Sequence, residues 1–263
     1  MNNRYVGAVA LIPLLVMIFL GGWPLRITVL LLALRALHEF YTVISKKGLK
    51  PDYVLGYATL LVYYGLLLFT ADASRHLGSI LALAAALGFI MLIFRKDFHF
   101  EDMSVTIVGF IYASVLFGYL ILIHDLPNGR YLVYSVFIIS WVCDTMAYYT
   151  GRLFGKHKLI ERVSPKKTIE GAIGGLAGGA LGSFALGMAV QNITGIAPVH
   201  FLIMGFLGAI LGQIGDLAAS SIKRYTGEKD YPKIIPGHGG VLDRFDSIIF
   251  VSLLVFLYSR YIL

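Results

Sequence analysis

The sequence predicts an all-α fold: a polytopic bundle of about nine transmembrane helices, with the N-terminus cytoplasmic and the C-terminus outside. Three observations carry this reading. Of 263 residues, 58% are hydrophobic and only 14% are charged, against about 25% charged in an average soluble domain. Apolar runs long enough to cross a bilayer as a helix recur along the whole chain. The cationic residues alternate between the connections in the way that loops on opposite sides of a membrane do.

The runs lie at about 4–21, 24–44, 53–71, 77–95, 103–123, 131–150, 169–190, 199–219 and 246–262. Each must be helical, because a lone strand leaves its backbone unsatisfied in lipid. The first run, from Arg4 to Leu20, could imitate a signal peptide. No small-residue cleavage site precedes Trp23-Pro24, so it reads as a retained span.

One set of loops carries 17 of the 22 Lys and Arg residues: Arg4; Lys46, Lys47 and Lys50; Arg95 and Lys96; Arg152, Lys156, Lys158, Arg162, Lys166 and Lys167; Lys223, Arg224, Lys229, Lys233 and Arg244. The other set holds Arg26, Arg75, Arg130 and Arg260, and Arg35 lies within a span. The richer side is the cytoplasmic one. The net charge of +7 then reflects cytoplasmic loops, anionic headgroups and anionic substrates rather than a nucleic-acid partner. The single cysteine, Cys143, excludes an intrachain disulfide and reads as a small apolar helix residue.

Polar content divides the chain into an N-terminal transmembrane region, 1–130, of about five spans, and a C-terminal catalytic region, 131–263, with two long cytoplasmic connections at 151–168 and 220–245. Span seven holds Gly171, Gly174, Gly175, Gly178, Gly179 and Gly182. Span eight holds Gly205, Gly208, Gly212 and Gly215. Glycines three and four apart permit close helix approach, either inside the bundle or at a dimer seam.

Candidate chemistry concentrates in the second region. Asp216, Ser220, Lys223 and Arg224 share one helical face at the end of span eight. A proline- and glycine-rich stretch, Pro236-Gly237-His238-Gly239-Gly240, cannot continue the helix, and such backbone can turn N–H groups toward an anion. Asp243 and Asp246, three apart at the start of span nine, can face one point on the same side of the membrane as Asp216. Alone, Asp243 also reads as a helix N-cap. Clustered carboxylates repel unless a cation joins them. An open set of oxygen ligands suits Mg²⁺, which keeps waters and takes substrate phosphates.

Asp144, an acidic residue inside span six, marks a functional position by default. Ser164-Pro165 reads as an N-cap with proline at N1. Lys166 and Lys167 would then sit in a helix's first turn, where a bound phosphate would offset the unfavourable dipole. Arg35, His38 and Glu39 form a polar face near the cytoplasmic end of span two, with a structural or headgroup-contacting role. His76, His99, His124 and His200 show no metal-ligand spacing.

The run Ser221-Ile-Lys223-Arg224, Lys229-Asp230, His238-Gly239-Gly240, Asp243-Arg244-Phe-Asp246 closely resembles the signature of the phosphatidate cytidylyltransferases, or CDP-diacylglycerol synthases. Asp144 and Ser164-Pro-Lys-Lys-Thr-Ile-Glu170-Gly171 look like the same family, so the resemblance is strong over about 140–263. It implies the reaction CTP + phosphatidate → CDP-diacylglycerol + pyrophosphate, with Mg²⁺ and room for a second cation such as K⁺. It also implies a homodimer in the inner (plasma) membrane, its site facing the cytoplasm. Under that resemblance Asp216, Lys223, Arg224, Asp243 and Asp246 are catalytic, and Asp144, Asp216, Asp243 and Asp246 hold metal. Lys166, Lys167, Glu170, Ser220, Ser221, Lys229, Asp230, His238, Gly239, Gly240 and Arg244 bind substrate. A transporter would more often place its polar groups at the midplane in two related halves. A CTP-dependent enzyme for another lipid phosphate, and a scaffold, remain as the other readings.

Overall fold

Each of the nine apolar runs forms a helix. The computed structural model describes residues 3–70, 73–232 and 239–263, with the side chains of 3–11, 73 and 74 left undescribed. Among the described residues the helices are α1 Asn3–Leu20, α2 Gly22–Ser45, α3 Tyr53–Phe69, α4 Leu77–Phe94, α5 Phe100–His124, α6 Gly129–Phe154, α7 Ile169–Thr194, α8 Pro198–Thr226 and α9 Leu242–Tyr261. Six are long and apolar enough to cross a membrane: α2, α4, α5, α6, α7 and α8. The shorter α3 is also apolar. The protein is thus a nearly all-α, multi-pass membrane protein.

The expectation of a purely helical chain needs one correction. Lys158–Ile160 (β1) and Ser164–Thr168 (β2) form a two-stranded antiparallel ribbon, pairing Lys158 with Thr168 and Ile160 with Ser164. Ser164 is therefore not an N-cap, and Lys166 and Lys167 lie in a strand. The φ imposed by Pro165 suits extended backbone, and the cap of α7 is Thr168, whose Oγ1 accepts the Gly171 N–H at 3.1 Å.

The chain forms two compact units, Met1–Leu122 with Tyr225–Asp243, and Ile123–Arg224 with Arg244–Leu263. The first has a core rich in aromatic residues, including the fully buried Phe40, Tyr41, Tyr63, Tyr64 and Phe110. A tyrosine inside apolar surroundings needs a partner for its hydroxyl. Tyr41 donates to the Thr106 carbonyl at 2.8 Å and Tyr64 to the Ser114 carbonyl at 3.1 Å. Ser114 lies in a π-helical turn of α5, Ile111–Val115. Carboxylates tie the loops of this unit. Asp52 caps α3 through the Leu55 N–H at 2.7 Å and pairs with Arg95 at 2.6 Å, and Asp102 accepts the N–H groups of Lys50 and His99 at 2.6 and 2.9 Å.

The second unit is assembled on glycine. Between apolar helices in lipid, small residues let van der Waals packing replace the missing hydrophobic drive. A Cβ on Gly178 would stand 2.5 Å from Met146, and one on Gly205 would stand 2.6 Å from the Gly179 carbonyl. The rows on α7 and α8 thus face neighbouring helices within this unit. Close internal packing accounts for them, and a dimer seam is not required.

Candidate active site

The second unit contains a cavity of about 340 Å³. The late turns of α6 supply Asp144, Tyr148, Gly151 and Arg152. The ribbon supplies Leu159, Lys166, Lys167 and Thr168, and α8 supplies Gln213 and Asp216. Asp144, Arg152 and Lys166 are exposed and open to it, while Lys167 and Asp216 are half-buried. Lys167 Nζ and Asp216 Oδ2 form an ion pair at 2.5 Å. Ser220 Oγ donates to Asp216 Oδ1 over 3.4 Å, so two of the four residues expected on one face of α8 meet.

Two more carboxylates lie within electrostatic reach of Asp216. Asp144 hydrogen-bonds the Ser247 side chain and feels both Asp216 and Lys167. Asp246 Oδ1 accepts the Ser247 N–H at 2.8 Å and feels Asp216, Asp144 and Lys223. Three acids with two lysines beside them make a site of mixed charge, able to take a cation on its acidic wall and an anion on its basic one. Among the described residues, no group of three His, Cys, Asp or Glu side chains forms a ready metal cage. Mg²⁺ does not require one, since it is commonly held by one or two carboxylates plus substrate phosphates and water. The oxygen donors of Asp144 and Asp216 fit it.

Other expected residues serve the frame around the cavity. Arg224 Nε reaches the Val163 carbonyl at 3.4 Å, in the turn between the strands. Glu170 accepts the N–H groups of Lys156 at 3.1 Å and His157 at 3.3 Å, and pairs with His157 Nδ1 at 2.6 Å. It closes the turn leading into the ribbon. Gln213 Nε2 donates to the Ala172 carbonyl at 3.0 Å and joins α8 to α7. Ser221 and Arg244 are exposed.

The rest of the signature lies in the first unit. Asp243 Oδ2 accepts the N–H groups of Tyr231 at 2.8 Å and Gly240 at 3.0 Å. Asp243 therefore does what an N-terminal cap does, and the Gly240 N–H points to a carboxylate of the protein itself. Gly239 has φ +70°, which favours glycine. A Cβ on Gly240 would collide with Glu39 Oε2 and stand 2.7 Å from both Glu39 Cδ and Tyr231 Cβ. Exposed Lys229 and Asp230 line a second, open cavity of about 400 Å³, together with Thr42, Lys46 and Glu228. Lys46 and Glu228 pair across its edge at 2.7 Å. His238 lies outside the described residues.

Sequence reasoning underrated Glu39. Its carboxylate is fully buried and accepts from Arg35 Nε at 3.0 Å and from the N–H groups of Val241 and Leu242, each at 2.9 Å. The available signal was an acid deep in an apolar helix with an arginine one turn before it.

An apolar helical chain with a cavity of carboxylates and lysines defines a class: a multi-pass membrane protein with a site suited to phosphorylated substrates. Comparison with known proteins narrows it. The sequence model of the Cytidylyltransferase family matches residues 2–262. The chain is 34% identical over 248 residues to the phosphatidate cytidylyltransferase of Staphylococcus saprophyticus, covering 92% of each chain. Against the protein of that name from Staphylococcus haemolyticus the identity is again 34%, with the same coverage. Against the one from Staphylococcus aureus it is 32% over 254 residues, also covering 92% of each. The chain belongs to the phosphatidate cytidylyltransferase family and is an enzyme, a nucleotidyltransferase. The resemblance read in residues 140–263 thus extends over nearly the whole chain.

Proposed function

We propose that the protein transfers the cytidylyl group of CTP to phosphatidate, releasing pyrophosphate and forming CDP-diacylglycerol for phospholipid synthesis. The observation that carries this reading is the cavity of the second unit, where Lys166, Lys167 and Arg152 stand beside Asp144 and Asp216. An oxygen of the lipid phosphate attacks the α-phosphorus of CTP. The bond from that phosphorus to the bridging oxygen breaks, and the electron pair leaves with pyrophosphate. The nucleophile is already an anion, so the protein's task is to position both polyanions and offset their charge.

Lys166, Lys167 and Arg152 take phosphate oxygens, and Lys167 is drawn toward the acidic wall by Asp216. Asp144 and Asp216 would hold Mg²⁺, and the bound ion would supply charge neutralisation for the substrate phosphates. The same role for Asp246 is supported by its electrostatic interaction with Asp216 and Asp144, with Lys223 beside it. That role for Asp243, phosphate contacts for Lys223, Lys229 and Arg244, and the K⁺ site rest on the sequence. So do the homodimer and the inner-membrane location. The surplus of Lys and Arg on one set of loops supports nine spans, a cytoplasmic N-terminus and a cytoplasmic site, where CTP is available.

The test is to incubate the purified protein with CTP labelled at the α-phosphorus, Mg²⁺ and phosphatidate in lipid vesicles. Labelled lipid and pyrophosphate should appear in equal amounts. Absence of labelled lipid with phosphatidate would overturn the proposal. Label entering only another lipid phosphate would reassign the acceptor.

A further inference from the structure

We infer that Glu39, on α2, is a positioning residue of the transferase: it holds the Val241 and Leu242 N–H groups at the approach to α9 and so fixes Asp243 beside them. This goes beyond the cytidylyl-transfer reading but rests on it, and on the cation-binding role proposed there for Asp243, for the turnover measured below.

Three observations combine. Glu39 has no exposed surface, and a buried carboxylate is costly unless charge and hydrogen bonds compensate it. Its compensation comes from two places far apart in sequence: Arg35, one helical turn before it, and the Val241 and Leu242 N–H groups, more than 200 residues later. Those two donors belong to the first turn of a helix and its approach, where N–H groups lack intrahelical partners and negative charge is favoured. With Gly240 donating to Asp243, three consecutive N–H groups are taken by two carboxylates.

Arg35 extends the hold. Its second guanidinium nitrogen donates to the Pro232 carbonyl at 3.2 Å, so one turn of α2 grips the chain on both sides of residues 233–238. Gly240 completes the fit, because any side chain there would collide with Glu39. Glutamine has the size of Glu39 but only one accepting oxygen. It cannot receive Arg35, Val241 and Leu242 as the carboxylate does. A carboxylate that served folding alone would leave the turnover of correctly folded molecules untouched when replaced. One that positions Asp243 would not.

The full-length protein is reconstituted as wild type, Glu39→Gln, Glu39→Asp and the double variant Arg35→Gln/Glu39→Gln. Turnover per folded molecule, thermal midpoint and amide hydrogen exchange over residues 239–245 are measured on each. In Glu39→Gln, exchange at Val241 and Leu242 should rise by at least about tenfold. The kcat should fall about 10- to 100-fold with KM for CTP changed less than about threefold, as expected when a reacting group is misplaced rather than removed. Glu39→Asp should recover part of kcat. The double variant, which also removes the half-exposed guanidinium left without its carboxylate, should keep kcat low whatever its thermal midpoint. If Glu39→Gln gives no folded protein, the double variant takes its place. A kcat within about twofold of wild type, or one that returns together with the thermal midpoint, would overturn the positioning role. Unchanged exchange would overturn the hold on the loop. Wild-type protein that makes no labelled lipid would instead count against cytidylyl transfer, and the exchange result would still decide the hold.

Discussion

Two regions of the molecule keep carboxylates in an apolar chain by opposite means. In the first unit, Glu39 is sealed from solvent and satisfied by Arg35 and backbone N–H groups. In the second, Asp144 and Asp216 open to a cavity and are balanced by a mobile class of partner, a lysine ammonium. The difference teaches where chemistry can occur. Backbone donors held by the fold cannot be exchanged for a ligand without unmaking a turn. A lysine paired at a cavity wall can swing to a phosphate while a cation takes its place on the acid.

Substitutions can break or sharpen that contrast. The largest effect is expected at Asp216. Asp216→Asn should lower turnover about 100- to 1000-fold, the cost of removing a group that stabilises developing charge, with the thermal midpoint nearly unchanged. Assays of labelled CDP-lipid beside a melting curve check both halves. A variant that loses its fold would place Asp216 with the structural acids. Next comes Gly240→Ala in the first unit. Its Cβ would meet Glu39 and Tyr231, and overpacking of that kind costs about 1–3 kcal/mol, so stability and turnover should fall together. Lys166→Met should act on the open site alone, raising KM for CTP about tenfold with little change in melting, since a charge-assisted contact to phosphate is lost. The smallest effect belongs to Glu170→Gln. The exposed pair of Glu170 with His157 shapes a surface turn, and turnover should change by less than about threefold, as exposed ion pairs contribute little.

Much of the fold was legible in the sequence because lipid leaves few choices. Nine apolar runs became nine helices, with ends displaced by a few residues. The run predicted at 131–150 continues as α6 to Phe154, since polar residues there lie beyond the hydropathy signal but still make helical bonds. The ribbon was not legible. Ser164-Pro165 satisfies the local rules for a helix start, and only pairing with Lys158–Ile160 selects the strand. The glycine rows were legible as seams, but which helix each row meets is settled by packing at Met146 and Gly179.

The candidate site was partly legible. Asp144, Asp216, Lys166 and Lys167 were singled out and do line one cavity. The dipole argument that selected the two lysines was wrong in its premise, because they sit on a strand. Asp243 could be read either as a cation ligand or as a cap; its Oδ2 takes the cap bonds from Tyr231 and Gly240, which involve one carboxylate oxygen of the two. Glu39 was read as structural or headgroup-contacting, but its backbone partners lie some 200 residues away, and local spacing carries no trace of them.

The central claim is that the cavity of Lys166, Lys167, Asp144 and Asp216 receives the phosphates of CTP. Equilibrium binding of labelled CTP with Mg²⁺ to wild type and to Lys167→Met tests it most directly, because no turnover is needed. The account predicts affinity lowered about tenfold in the variant, the value of one charge-assisted phosphate contact, with the thermal midpoint preserved. Equal affinity in two correctly folded proteins would contradict it.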